Sequence, residues 1–402
     1  MNSGWKKLKI KEFTKVLSGG TPKSSVVEYY EGGTIGWITP SDLTGYNRQF
    51  INEGRRNITN LGLEKSSAKL LPAGTVLFSS RAPIGYVAIA ENELTTNQGF
   101  KNILPSPMHN PKYLYWYLKS VKDEIEFRAS GTTFKEISAS GMNEIEVPLP
   151  SLEEQTKIVA VLDKAQALIE KRREAIVKLD ELVQSIFLDM FGDPSNNEKG
   201  FLKGKIKDLI LEAKYGTSKK SNENEGEFPY LRMNNLTYKG YMDFSNLKYI
   251  DLDEKEQDKY LVQEGDLLFN RTNSKELVGK TAVFEEKEPM AIAGYLIRVR
   301  VNEIGNPYYI SSYLNSKHGK MILQNMCKNI VGMANINAKE MQNIDILIPQ
   351  KALQDKYEEQ YKEILKKKHA MNRQLEKLEL HFQSVLQKAF KGELEVNTEI
   401  KA

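Results

Sequence analysis

An eleven-position word occurs twice in this chain: Asn110-Pro111-x-Tyr113-x-x-x-Tyr117-Leu118-x-Ser120 returns 196 residues later as Asn306-Pro307-x-Tyr309-x-x-x-Tyr313-Leu314-x-Ser316. The same offset carries Ile10-Lys11 onto Ile206-Lys207 and Gly20-Thr21 onto Gly216-Thr217. An offset of 199 carries Pro150 onto Pro349, Gln184-Ser185 onto Gln383-Ser384 and Phe191 onto Phe390. Two copies at so long a period mark a duplicated domain and not a solenoid, whose units run about 20 to 50 residues. Two similar modules are expected to read two similar things.

With 402 residues and 40% hydrophobic content, the chain can bury cores in two or three domains. No apolar run approaches the roughly 18 residues of a membrane-spanning helix. The start, Met1-Asn2-Ser3-Gly4-Trp5-Lys6-Lys7, lacks the apolar stretch of a signal peptide, so a cytoplasmic protein without a membrane partner is expected. Cys327 is a single cysteine and His109, His318, His369 and His381 are scattered, so neither a disulfide nor a metal framework is expected. A net charge of +4 favours local basic patches over a polycation. The densest basic run, Lys6, Lys7, Lys9, Lys11, Lys15 and Lys23 against Glu12, is by itself more often a solvated face than a site.

Each repeat begins strand-rich and ends helical. Val76-Leu77-Phe78 behind Pro72-Ala73-Gly74, and Leu267-Leu268-Phe269 behind Glu264-Gly265-Asp266, read as buried strands after a turn. So do Tyr86 to Ala90 and Ile297 to Val301. The Asn-Pro-x-Tyr words read as helix starts, with Asn as cap and Pro in the first turn. Extended segments return at Ile145 to Pro150 and Ile344 to Pro349.

A seam follows each of them. Ile158, Leu162, Ala165, Ile169, Arg172, Ile176, Leu179, Val183, Ile186 and Met190 alternate spacings of four and three, the pattern of a coiled coil. Tyr357, Tyr361, Ile364, Lys368, Met371, Leu375, Leu378, Phe382, Val385 and Ala389 repeat it 199 residues on. The two seams are expected to face each other, the rival being that each packs only on its own module. A helix from Leu152 to Phe191 would span about 60 Å, and the stretch from Gly192 through Asp193-Pro194 to Gly200 covers at most about 30 Å. The second helix is therefore expected to run back antiparallel to the first.

The layout resembles the specificity (S) subunit of Type I restriction–modification systems. The strings that carry the resemblance are Val147-Pro148-Leu149-Pro150-Ser151-Leu152-Glu153-Glu154-Gln155, Gly19-Gly20-Thr21-Pro22, and Gln383-Ser384-Val385-Leu386-Gln387-Lys388-Ala389-Phe390-Lys391-Gly392-Glu393-Leu394. The second copy departs from them: it carries Ile348-Pro349-Gln350-Lys351-Ala352-Leu353-Gln354-Asp355, and Lys214-Tyr215-Gly216-Thr217 lacks the double glycine and the proline. The resemblance implies an α+β fold of two strand-rich target recognition domains, 1–150 and 193–350, separated by two helical conserved regions, 151–192 and 351–394, forming an antiparallel coiled coil, with a tail at 395–402. It implies a non-catalytic subunit whose domains each read half of a bipartite double-stranded DNA target, while the helices fix the spacing and dock partners. Those partners would be two methyltransferase (M) subunits using S-adenosylmethionine on adenine, and two ATP- and Mg-dependent restriction (R) subunits. No cofactor is expected on this chain itself.

The residues agree with a non-catalytic role. Val278-Gly279-Lys280-Thr281 ends like a phosphate loop, but Ser274 stands where the first glycine is required. Helix capping explains the Asn-Pro-x-Tyr words without the Asn-Pro-Pro-Tyr chemistry of adenine methyltransferases.

Base reading needs Arg or Lys toward guanine, Asn or Gln toward adenine, and Ser or Thr toward several edges. In the first module such groups follow strand ends at Lys23, Thr39, Ser41, Ser80, Arg81, Asn97, Gln98, Thr132, Thr133 and Lys135. In the second they are Lys219, Lys220, Arg232, Asn234, Asn235, Asn270, Arg271, Asn273, Asn335 and Asn337. Arg81 and Arg271 both follow a strand ending in Phe and are expected to be equivalent. For any single one of these residues, a turn-forming role competes with DNA contact. Two other classes compete with the whole reading: a coiled-coil interaction scaffold, and a duplicated nuclease, for which the halves share no carboxylate and lysine set.

Overall fold

In the computed structural model, which describes residues 4–81, 83–129, 135–330 and 333–394, the repeated word folds the same way twice. Asn110 caps the helix Pro111–Ser120 by accepting from the backbone N–H of Lys112 at 2.9 Å. Asn306 caps Pro307–Asn315 by accepting from that of Tyr308 at 2.9 Å. The tyrosines explain the rest of the word. Tyr113 donates to the carbonyl of Pro148 at 2.6 Å and Tyr117 to that of Glu146, while Tyr309 donates to Leu347 at 2.8 Å and Tyr313 to Asp345 at 3.0 Å. Four helical residues rise about 6 Å and two strand residues about 6.6 Å, so tyrosines one turn apart meet alternate carbonyls of a strand.

The chain divides into two compact units, residues 1–171 with 374–402, and residues 172–373. In the first, Lys6–Lys9 pairs antiparallel with Glu146–Leu149. A five-stranded sheet has the order Val16–Ser18, Phe100–Ile103, Val76–Ser79, Val87–Ala90, Phe50–Ile51, and Gly36–Ile38 pairs in parallel with Leu94–Thr96. In the second unit, Leu202–Lys205 pairs with Asp345–Ile348. Its central sheet runs Ile210–Tyr215, Leu296–Val301, Leu267–Asn270, Thr281–Val283, beside a second four-stranded sheet that begins Lys248–Ile250, Phe228–Leu231. The expected buried strands are present: Val76, Leu77, Phe78, Leu267, Leu268 and Phe269 are fully buried. Gly74 and Gly265 make the turns before them at φ +82° and +90°, a region costly for any side chain.

The two central sheets differ by one residue. Ile210 pairs with Val301 and Glu212 with Arg300, so Leu211 bulges out, 75% exposed. Beyond the bulge, Ala213 lies opposite Val299, as Val16 lies opposite Ile103. Gly19-Gly20 therefore corresponds to Gly216-Thr217, one residue away from the match expected on sequence offset alone. A side-chain bond fixes the same register: Trp37 Nε1 donates to the carbonyl of Gly20 at 3.0 Å, and the Tyr230 hydroxyl to that of Thr217 at 2.8 Å.

Two helices, Leu152–Phe191 and Lys351–Lys391, carry the seams, and each gives one half to each unit. In the first unit Ile158, Leu162 and Ile169 share a core with Phe382, Leu386 and Ala389. In the second, Val183, Phe187 and Phe191 share one with Tyr357, Tyr361, Ile364 and Leu365. The start of one helix thus meets the end of the other in both units, and the pair is antiparallel. The remaining seam residues Ala165, Arg172, Ile176, Leu179, Ile186, Met190, Lys368, Met371, Leu375, Leu378 and Val385 are half-buried. The apolar stripe is wider than the expected seam. Val159, Phe187, Leu365 and Leu386 are buried outside it, because each helix also packs on the module of the unit it enters: Phe382 of the second helix meets Trp116 of the first module edge-on at 5.4 Å, and Phe191 of the first helix lies 4.7 Å from Tyr309 of the second module. The seams face each other as expected, and the rival, that each packs only on its own module, does not hold. Among the described residues no helix is long and apolar enough to cross a membrane.

Candidate nucleic-acid interface

In each unit, four backbone hydrogen bonds gather five loop segments. In the first unit Gly20 N–H donates to Thr96 at 2.9 Å, Asn97 to Ile38 at 2.9 Å, Ser80 to Gly99 at 2.7 Å and Ile137 to Ser80 at 3.1 Å. In the second, Thr217 donates to Ile292 at 2.9 Å, Ala293 to Leu231 at 2.9 Å, Arg271 to Tyr295 at 3.0 Å and Ile336 to Arg271 at 2.9 Å. The bonds correspond one to one, and every described candidate residue falls on these segments. Thr132 and Thr133 lie outside the described residues.

Within each cluster the candidates divide by burial. In the first unit Lys23, Ser41, Gln98 and Lys135 are exposed. Gln98 accepts from the Thr21 hydroxyl. Ser80 is fully buried, donating to Gly99 at 3.1 Å and accepting from Lys101 Nζ at 3.3 Å. Asn97 forms a turn by accepting from Gly99 N–H at 2.9 Å, and Thr39 caps the 3-10 turn Pro40–Leu43 through Asp42 at 2.6 Å. Glu136 is the electrostatic centre: it takes Lys101 at 3.0 Å and Arg81 at 3.6 Å.

In the second unit Lys219, Lys220 and Asn234 are exposed, and Lys219 pairs with Glu256 at 2.8 Å. Arg232 donates to Asn246 Oδ1 at 2.7 Å. Asn235 is buried and holds its own loop through Asp243 at 2.8 Å; Asn337 caps Ala338–Gln342 by accepting from Glu340 N–H at 2.9 Å. Asn270 is fully buried with Nδ2 unpartnered, accepting from Asn273 at 3.2 Å, and Asn335 accepts from Thr272 at 2.8 Å. Arg271 stacks on Tyr215, its guanidinium carbon 4.8 Å from the ring centroid.

The expected equivalence of Arg81 and Arg271 is corrected by the register. Strand pairing aligns Ser79 with Asn270, and the backbone bonds align Ser80 with Arg271, so Arg81 corresponds to Thr272. Adjacent positions of an extended chain point to opposite faces, so one step separates the buried Ser80 from its neighbour Arg81. Elsewhere, the basic run is partly neutralised: Lys9 and Lys11 both pair with Glu144 and, by hydrogen bonding to it, hold its carboxyl down at about 2. The loop resembling a phosphate cradle is occupied by its own chain, since Lys280 Nζ donates to the carbonyl of Met233 at 2.6 Å and burial lowers its pKa.

The profile of the Type I restriction modification DNA specificity domain matches residues 2–179 and again 198–380. The chain belongs to that family. Over 199 residues it is 42% identical to the MjaIX specificity subunit of Methanocaldococcus jannaschii, a stretch covering 48% of this chain and 46% of that relative. To the EcoKI specificity subunit of Escherichia coli it is 23% identical over 97% of this chain and 89% of the relative. A solved chain from a study of complex assembly and conformational transition of the type I R-M system shares the fold at TM-score 0.62, with 18% identity, covering 98% of this chain and 99% of that one. A specificity-family chain has two recognition modules, and the two matched spans fall on the two repeats.

Sequence reasoning missed Lys101, Glu136 and Tyr215. Lys101 and Glu136 lie 35 residues apart, and no local pattern joins them. Tyr215 stands beside the altered glycine motif, and its substitution for a small residue was the available signal.

Proposed function

We propose that this chain is the non-catalytic specificity subunit of a Type I restriction–modification complex, each module reading one half of a bipartite double-stranded DNA target. The observation that carries the reading is the five-loop cluster, built twice on the same four backbone bonds and furnished with different side chains. Shared scaffolding with changed loop chemistry suits one task performed on two sequences. The long helices are the spacer and the dock for two methyltransferase subunits, which would hold S-adenosylmethionine; two restriction subunits would use ATP and Mg. The protein would act in the cytoplasm, where its DNA is.

Exchange of residues 1–150 for the equivalent module of a relative, followed by mapping of methylated adenines in a host expressing the complex, tests the proposal. One half of the methylated sequence should change and the other remain. A change in both halves would defeat the modular reading. One heptad added to both helices, about 10 Å, should move the half-sites about three base pairs apart or abolish recognition through the accompanying rotation.

A further inference from the structure

Arg271 is a cation of the second cluster held by an aromatic ring and not by an acid. Its backbone is fixed on both sides, donating to Tyr295 at 3.0 Å and accepting from Ile336 at 2.9 Å. Its guanidinium lies over the Tyr215 ring, and Nε is sealed from solvent without a partner. Among the described residues no carboxylate pairs with it. Among the described residues neither Nη atom has a hydrogen-bond partner, and neither is sealed, so the donor fork is the open end of a partly exposed side chain. Tyr215 is itself anchored at its far end: its hydroxyl accepts from the N–H of Ala338 at 2.8 Å, at the first turn of Ala338–Gln342. One aromatic ring thus ties a sheet strand to a helix start and supports the arginine in between. Among the described residues the first unit has no counterpart. Buried Ser80 takes the Arg271 position, Ser18 that of Tyr215, and neighbouring Arg81 is paired with Glu136.

A planar fork held by stacking, with both Nη atoms open and no competing acid, matches the O6 and N7 acceptors of guanine in the major groove. We infer that Arg271 reads a guanine in the half-site of the second module and that Tyr215 is its positioning residue. The inference rests on the specificity reading proposed above. A lysine at 271 would keep the charge and lose the fork; phenylalanine at 215 would keep the stacking face and lose only the anchor.

The test maps methylated adenines in hosts carrying the whole complex with Arg271→Ala, Arg271→Lys, Tyr215→Ala or Tyr215→Phe. Arg271→Ala and Arg271→Lys should both relax one guanine of the second half-site, lowering discrimination there about tenfold, which is about 1.4 kcal/mol. Tyr215→Ala should relax the same position, Tyr215→Phe should restore most of it, and the first half-site should be unchanged in all four. The inference is overturned if Arg271→Lys keeps the wild-type sequence, if the relaxed base is not guanine, or if Tyr215→Ala reads as wild type does. A wild-type complex that methylates no bipartite sequence sinks the specificity reading itself, whereas an unaltered sequence in the Arg271 variants of a working complex sinks this assignment alone.

Discussion

Gln155 and Gln354 fill the same niche in the two units, each fully buried at the start of a long helix. Gln155 donates to the carbonyls of Met108 and Pro150, both at 3.0 Å, and accepts from Asn110 N–H at 2.8 Å. Gln354 donates to Ile304 at 3.0 Å and Pro349 at 2.8 Å, but its oxygen has no partner. The second helix-start string, altered as it is, keeps the residue that joins strand, helix and capped loop. Replacement by Ala leaves buried backbone groups unsatisfied, at about 1–3 kcal/mol each when no water enters. Gln155→Ala should therefore destabilise its unit by about 2–4 kcal/mol and Gln354→Ala by less, measured by urea denaturation. Equal losses would contradict the three-against-two accounting.

His109 makes the first unit sensitive to acid. Burial holds its pKa at about 4, with Ser106 Oγ 3.0 Å from Nδ1, Nε2 unpartnered and Phe13 edge-on at 5.5 Å. An unfolded histidine titrates near 6.5. Between those values the unfolded chain binds a proton that the native one refuses, so stability falls as pH drops below about 6.5, with the loss complete below about 4. From pH 7 to 5 this group should remove about 2 kcal/mol. His109→Gln should flatten that part of the pH–stability curve, and an unchanged slope would show that the ring opens to solvent.

Glu136 restrains two cations of the first cluster. Glu136→Gln would leave Lys101, 4% exposed, without its acid and release Arg81. Stability should fall by about 1–2 kcal/mol, a value reduced for the carboxylate's partial exposure. Affinity for non-cognate DNA at low salt should rise, because a cation is no longer neutralised. Calorimetry and a salt titration of binding check the two effects separately.

Lys219 and Lys220 are neighbours with different duties. Lys219 pairs with Glu256 at 2.8 Å, whereas Lys220 is exposed with no ion-pair partner among the described residues. Lys220→Ala should weaken binding to all sequences alike and reduce the slope of log K against log salt by about 0.9; Lys219→Ala should reduce it by less. The slopes from a salt series of DNA-binding isotherms decide between them.

What could be read from the sequence was what repeats at short range. The seams, the capped helices and the strands after Gly74 and Gly265 follow from local periodicity and turn chemistry, and the long helices Leu152–Phe191 and Lys351–Lys391 begin six residues before their seams, which start at Ile158 and Tyr357, and end within two residues of the last seam residue. The described candidate residues fall in two loop clusters because polar residues behind strand ends lie at one edge of a sheet. Their individual duties were not legible. Ser80 and Arg81 differ by one step of strand parity, the pairing of Glu136 with Lys101 and Arg81 joins separate loops, and the stacking of Arg271 on Tyr215 spans 56 positions of chain. The helical stripe is wider than the seam for a related reason: a heptad pattern reports the partner helix, while Phe187 also stacks on Tyr309 of a capped helix at 5.9 Å and Leu386 shares the core of the first unit.

The bulge at Leu211 shows how two halves of one ancestral unit can drift in length without losing their common wiring. An extra residue inserted into a regular ladder would turn every following side chain over; expelled into solvent at the sheet's edge strand, it leaves Glu212 onward in phase and delivers Thr217 to the place Gly20 holds. Divergence of this kind is nearly neutral to the scaffold and free to alter what the loops present. A lineage that tolerates such insertions can change what one half recognises while the other half stays as it was.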